Sequence, residues 1–197
     1  DRIDLHDDLA VLLSTSGSTG SPKLVRLSHD NLAANAASIA EYLELSPGER
    51  AITSLPLHYS YGLSVLHSHL LFGHAIALTE HSVVDEQFWE LVEREQVTSL
   101  AGVPHTYELL ARTDYLDRDL SSLRYLTQAG GKLAPDRVRD LALSSQQKNR
   151  RFYVMYGQTE AAPRMAFLPP ADAAEHGTTI GRAIPGGFFR LDSNGIE

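Results

Sequence analysis

Cysteine is absent from the 197 residues. That excludes disulfide staples, thiolate metal sites and a cysteine nucleophile, and it fits a reducing, cytoplasmic setting. No apolar run approaches the ~20 residues that a membrane-spanning helix needs. Positive charge is in deficit: 17 Lys and Arg against 25 Asp and Glu leave a net charge of −8. Such a chain does not attract nucleic acid or an acidic membrane by its bulk field, so any anion site must be built locally. Internal repeats and low-complexity tracts are lacking as well. What remains is 43% hydrophobic and 21% charged, a composition that can bury a core and argues against disorder. The chain opens on Asp1 without a basic-plus-apolar leader. It stops after Asn194-Gly195, a hairpin turn signal preceded by strand-like residues 188–191 with no second strand following. These ends read as a piece of a longer protein whose flanking domains are missing.

Strand-like and helical patterns alternate along the chain. Leu9-Ala10-Val11-Leu12-Leu13 is a continuous apolar run, as expected of a buried parallel strand. A short strand is expected at 24–27, and Ser28 is a good N-cap for a helix to about residue 45. Strands follow at 51–55, 75–78, 97–100, 123–126 and 152–155. Helices fall at about 62–72, 86–96 and from Pro104 and Pro135 onward. About five alternations specify an α/β fold with a doubly wound, mainly parallel sheet. The expected organisation is an α/β nucleotide-binding core over 1–160 and a loop and short-strand extension over 161–197. In such sheets ligands bind outside the carboxyl ends of the strands, and three unusual segments sit there.

The first is Thr15-Ser16-Gly17-Ser18-Thr19-Gly20-Ser21-Pro22-Lys23. Its glycines allow close backbone approach, its hydroxyls and free N–H groups suit phosphate oxygens, and Lys23 adds a point charge. It is not a Walker loop, because Pro22 stands where that pattern needs glycine. No helix starts at the lysine, so the loop is expected to join two strands. The second segment, Tyr156-Gly157-Gln158-Thr159-Glu160, offers a flat ring, a hydroxyl and a hard oxygen ligand suited to Mg²⁺ beside phosphates. The third, Gln128-Ala129-Gly130-Gly131-Lys132-Leu133, is a tight turn that needs no ligand by itself. Taken singly, each reads as readily as a polar turn, a core tyrosine or a solvated glutamate.

Together they resemble the adenylate-forming superfamily, which includes acyl- and aryl-CoA synthetases, luciferases and peptide-synthetase adenylation domains. The first segment is similar to its (Ser/Thr)-Ser-Gly-(Ser/Thr)-Thr-Gly-x-Pro-Lys-Gly signature, and the second matches Tyr-Gly-x-Thr-Glu completely. Gly130-Gly131-Lys132-Leu133 falls at the family's adenine-side turn, and Ile180 to Gly186 resembles its later Gly-x-x-x-Pro-Gly segment. The resemblance implies that a carboxylic acid is joined to ATP, giving an acyl-adenylate and pyrophosphate, before transfer to the thiol of coenzyme A or a carrier protein. It implies that Thr15, Ser16, Gly17, Ser18, Thr19, Gly20 and Lys23 hold the ATP phosphates. Gly130, Gly131, Lys132, Tyr156, Gly157 and Gln158 would surround the AMP portion, Thr159 would meet the α-phosphate, and Glu160 would ligate Mg²⁺. Lys23, Tyr59, Thr159 and Glu160 are the implied catalytic set. Lys23 and the hydroxyls of Ser16 and Thr19 are expected to face one cavity with Glu160.

Two departures stand out. Leu24 replaces the signature's last glycine. In Pro56-Leu57-His58-Tyr59-Ser60-Tyr61-Gly62, Tyr59 occupies the family's aromatic gate position, with His58 one place earlier. Tyr59, Gly62, Gly102, His105 and Gly130 are expected around the acid. These segments carry no carboxylate for a substrate ammonium, so a largely apolar fatty or aromatic acid is expected rather than an amino acid. His67 and His69 flank Ser68 on a helix and point to different faces, so they cannot share a metal easily. Arg150-Arg151 reads as a solvated strand lead-in. The family's ribose-binding Asp, hinge and C-terminal domain would all lie beyond Glu197, so the chain alone is expected to be inactive or nearly so. A non-catalytic adenine-nucleotide-binding module is the alternative from a different class.

Overall fold

In the computed structural model, residues 5–15, 23–192 and 195–196 are described. Strands β1 (Leu9–Thr15) and β2 (Lys23–Ser28) form an antiparallel ribbon of their own. The expectation of a buried parallel strand at 9–13 is therefore corrected. Only Leu13 of that run is buried, and Leu12 is 43% exposed. An apolar run fixes burial on at least one side, but not the direction of the partner strand. Thr15 and Lys23 pair across the ladder, so the connection between them joins two strands. Residues 16–22 of that connection lie outside the described residues.

Helix α1 (His29–Leu43) starts where Ser28 Oγ accepts from the Asn31 amide at 3.1 Å and Asn31 Oδ1 accepts from the Ser28 amide. This reciprocal cap satisfies two donors that a helix start otherwise leaves free. The elements that follow are β3 (Arg50–Ile52), α2 (Ser60–Leu71), β4 (Ala75–Ala77), α3 (Glu86–Arg94), β5 (Ser99–Gly102) and α4 (Pro104–Leu110). Next come β6 (Tyr125–Gln128), α5 (Pro135–Gln147), β7 (Arg151–Gly157) and β8 (Arg164–Leu168). The described chain closes with α6 (Ala173–His176), β9 (Arg182–Ala183), β10 (Leu191–Asp192) and β11 (Gly195–Ile196).

Seven strands make one sheet in the order β4-β3-β5-β6-β7-β8-β9. The first five are parallel, as the alternating pattern requires, and β8 and β9 add antiparallel. Strands β8 and β9, which fall within the short-strand extension expected over 161–197, continue the same sheet. The strand expected over 188–191 is reduced to β10, and β11 supplies the second strand of that hairpin. Each face of the sheet has its own core. Phe88, Trp89 and Phe152 lead the cluster beneath α3, α4 and α5. Ile39, Leu43 and Tyr61 lead the one beneath α1 and α2. The β1–β2 ribbon packs Leu13 and Leu27 on Ala162, with Leu32 and Leu63 alongside. That contact sets the ribbon against the turn following Glu160. Arg150, expected to be solvated, is 7% exposed and donates to the carbonyls of Leu116, Arg118 and Leu120.

Candidate nucleotide and acid site

A cavity of about 500 Å³ opens at the carboxyl ends of β6 and β7. Its walls come from Tyr59 to Tyr61 at the start of α2, Gln128 to Leu133 after β6, and Val154 to Thr159 along β7 and beyond it. The remaining walls come from Val138 of α5, the start of β8 and the segment after α6. Its size is that of a small-molecule site.

The turn after β6 is held open by absent side chains. Gly130 has φ +80°, and a Cβ there would lie 2.3 Å from the Tyr59 hydroxyl oxygen. Only glycine accommodates both the left-handed backbone and the overlying tyrosine. Gln128, 1% exposed, donates from Nε2 to the Gly131 carbonyl at 2.8 Å and fixes the turn from below. Across the cavity, a Cβ on Gly157 would meet the Pro163 carbonyl oxygen at 1.9 Å. There the chain crosses itself so closely that the following Gln158 amide bonds to that same carbonyl at 2.9 Å. Gln158 Nε2 then donates to the Tyr156 hydroxyl at 3.0 Å. Thr159 Oγ1 lies 3.2 Å from Ser60 Oγ, tying this loop to α2.

The charged residues lining the cavity are Lys132 and Arg164, both cationic. A chain with a net charge of −8 thus turns a positive interior toward the carboxyl end of its sheet. The geometry suits an anionic ligand with a flat portion: a glycine turn, several hydroxyls including those of Ser60 and Thr159, and two cations.

Across residues 2–192 the chain matches the AMP-binding enzyme family. The chain belongs to that family. It is 38% identical over 186 residues to a feruloyl-CoA synthase of Amycolatopsis sp, covering 93% of this chain and 36% of the relative. It is 34% identical over 179 residues to indoleacetate–CoA ligase of Aromatoleum aromaticum, covering 90% and 34%. The O-succinylbenzoate coenzyme A synthetase of Bacillus subtilis, solved in complex with ATP and a magnesium ion, superposes with a TM-score of 0.81 at 26% identity. That match covers 99% of this chain and 41% of the synthetase. The chain therefore spans about a third of the length of the curated relatives.

Of the residues that the AMP-binding resemblance singled out, the fold brings Tyr59, Gly130, Gly131, Lys132, Tyr156, Gly157, Gln158 and Thr159 to one cavity. Glu160 follows on an exposed one-turn 3₁₀ helix, Thr159–Ala161, just outside that lining. Thr15 and Lys23 frame the ribbon end, whereas Ser16, Gly17, Ser18, Thr19 and Gly20 lie outside the described residues. The shared cavity expected for Ser16, Thr19, Lys23 and Glu160 rests on that loop, so this expectation too lies outside the described residues.

Three expected acid-side residues are not in the lining. Gly62 is buried beneath Pro56, where a Cβ would meet the Pro56 carbonyl at 2.3 Å. Gly102 abuts the Tyr107 ring, at 2.8 Å from a built Cβ. His105 projects from α4 with its side chain 75% exposed, beside Glu108 at 3.9 Å. The helix turn after Pro104 aims it at solvent, an outcome that position after a strand does not reveal. His58 lies in a separate open groove with His81 and Glu80, while Tyr59 faces the cavity. Sequence reasoning missed Arg164, whereas Ser60 and Tyr61 lie in the Tyr59 to Gly62 segment expected near the acid. Arg164 follows Tyr-Gly-Gln-Thr-Glu by four residues, and its spacing alone carries no signal. Its place is fixed by the register that pairs it with Gly157.

Proposed function

We propose that this chain forms the nucleotide and acid site of a carboxylic acid–coenzyme A ligase that works through an acyl-adenylate. The cavity framed by Gly130, Tyr156 and Thr159, whose charged lining among the described residues is cationic, is the observation that carries the reading. Tyr156 and the Gly130–Gly131 turn would take the adenine. Thr159, Lys23 and the loop from Thr15 through Gly20 would take the phosphates. Tyr59, packed over Gly130, would close over the acid's carboxylate beside the α-phosphorus. Holding carboxylate and phosphorus in line removes much of the orientational cost of the attack, and fixed donors stabilise charge as pyrophosphate leaves. Mg²⁺ fits this donor set: it commonly takes one or two carboxylates and completes its shell with phosphate oxygens and water. Glu160 is the exposed carboxylate next to Thr159 and would be that ligand; the ion's contribution is charge neutralisation. Among the described residues no carboxylate lines the cavity, so an amino acid's ammonium would find no partner among them.

The test measures pyrophosphate release by the full-length protein with octanoate, benzoate and phenylalanine. Acid-dependent release with octanoate or benzoate supports the proposal, and coenzyme A consumption then identifies the thiol. A preference for phenylalanine would point to an adenylation domain instead. Nucleotide binding without any release would leave a non-catalytic nucleotide module.

A further inference from the structure

The same cavity holds a charge that adenylate chemistry does not use. Arg164 is 4% exposed, and its Nε is buried without a hydrogen-bond partner. Among the described residues it makes no ion pair with a carboxylate. Its Cζ sits 4.0 Å over the Tyr61 ring, and the guanidinium also meets the Tyr42 hydroxyl through a hydrogen bond and charge attraction. Burial pushes both phenols up, Tyr61 to about 12, so both are neutral at physiological pH. Ring contact and one phenol oxygen stabilise the cation, but neither supplies a counter-charge or the planar two-oxygen acceptor that a guanidinium fork matches. Burying a charge without a counter-charge is costly, and proteins retain such groups chiefly where something else pairs with them.

The position is as informative as the charge. Arg164 lines the 500 Å³ cavity and also a second interior void of about 20 Å³ under α1 and α2. It therefore forms the inner wall between the two. The backbone on either side is held rigid: Asn35 of α1 donates from Nδ2 to the Arg164 carbonyl at 2.9 Å and accepts from its amide at 3.3 Å. The smaller void is lined in part by Ser68, Thr127, His69 and Tyr125, so the region behind the guanidinium is polar as well. Thr159 and the Gly130 turn belong to other walls, nearer the loop ends.

We propose that Arg164 determines specificity, and that the acid this site takes carries a second carboxylate which the guanidinium holds at the inner wall. This rests on the acid-activating function proposed above and narrows its substrate class. One carboxylate reacts near Tyr59 and Thr159; the other, beyond an apolar or aromatic spacer, pairs with Arg164 and supplies the missing counter-charge. The planar, two-oxygen group matches the guanidinium fork, which a hydroxyl or methyl terminus does not.

The test uses the full-length protein with acids matched in length: hexanoate against hexanedioate, and benzoate against benzene-1,4-dicarboxylate. Pyrophosphate release gives kcat/KM for each. Calorimetry with an ATP analogue carrying a methylene between the α- and β-phosphorus gives acid binding without turnover. The wild type should favour the diacid of at least one pair by ~10- to 100-fold, the range expected of a hydrogen-bonded charge. Arg164→Met should collapse that ratio, and Arg164→Lys should keep part of it. A wild-type preference for the monoacids overturns the proposal. So does a loss in Arg164→Met that strikes both members of each pair alike, which would mean a structural role or a grip on the reacting carboxylate. If Arg164→Met does not fold, the wild-type preference and Arg164→Lys decide. If no acid is turned over, the ligase reading fails on its own. Calorimetry then decides this one: Arg164-dependent diacid binding upholds it, and its absence overturns it.

Discussion

Glu160 and Gly130 show how single positions serve the site in opposite ways. Glu160 is exposed and contributes nothing to the core, so Glu160→Gln should leave unfolding unchanged. Under the proposed function, the neutral amide holds Mg²⁺ poorly. Pyrophosphate release should fall by ~10²- to 10³-fold, the cost of one strong electrostatic contact in a transition state. Steady-state kinetics across a magnesium titration checks this; full activity at ordinary magnesium would assign the ion to another residue. Gly130 is the converse. Gly130→Ala meets both the +80° backbone and the Tyr59 hydroxyl, and should cost about 2–3 kcal/mol. Tyr59→Phe removes the closest atom. The double variant should therefore recover about 1 kcal/mol relative to the sum of the single changes. Urea unfolding of the four proteins reads that coupling, and simple additivity would mean that the turn moves instead.

Helix α1 is tied to the start of strand β8 by a single polar side chain as well as by core packing. Asn35 bonds to both the amide and the carbonyl of Arg164, 129 positions away in sequence. Nearby, Tyr42 of α1 stacks on Phe167 of β8 with ring centroids 4.3 Å apart. Asn35→Ala would leave two backbone groups unpaired at a buried strand start, costing about 2–3 kcal/mol. Because Arg164 begins that strand, ligand affinity should fall along with stability. Ser28→Ala at the start of the same helix should lower stability by about 1 kcal/mol and leave affinity alone. Chemical denaturation paired with nucleotide binding separates the two, and equal effects on affinity would refute the distinction.

The protein as a whole should weaken on mild acidification. His69 is 2% exposed; burial pulls its pKa below the usual 6.5, partly offset by its 2.9 Å contact from Nδ1 to the Val65 carbonyl and by Glu49. His67 is lowered by burial too. A histidine with a depressed folded-state pKa binds more protons when unfolded. Its contribution is therefore complete above about pH 6.5 and is lost as pH falls from there through the folded value. The urea midpoint should drop between pH 7.5 and 5.5, and His69→Gln should flatten the drop. An unchanged slope in that variant would place the acid sensitivity elsewhere.

Local chemistry determined much of this protein. Alternating apolar runs and caps such as Ser28 set the order of elements, because secondary-structure period and helix starts are decided within a few residues. The Gly130-Gly131 turn and the Tyr156 to Glu160 segment were legible for the same reason: their composition follows from turns and close approach, wherever they lie. The direction of β1 was not legible, since an apolar run is compatible with either kind of partner strand. Nor was the exposure of His105, which depends on the phase of the short helix α4 at its first turn. Least legible was Arg164. Its sequence neighbourhood resembles any strand start. Only the antiparallel register of β8 on Gly157, the Asn35 tether and the Tyr61 ring place its charge inside a cavity. Those partners lie up to 129 residues distant, and contacts at that separation are made by the tertiary fold.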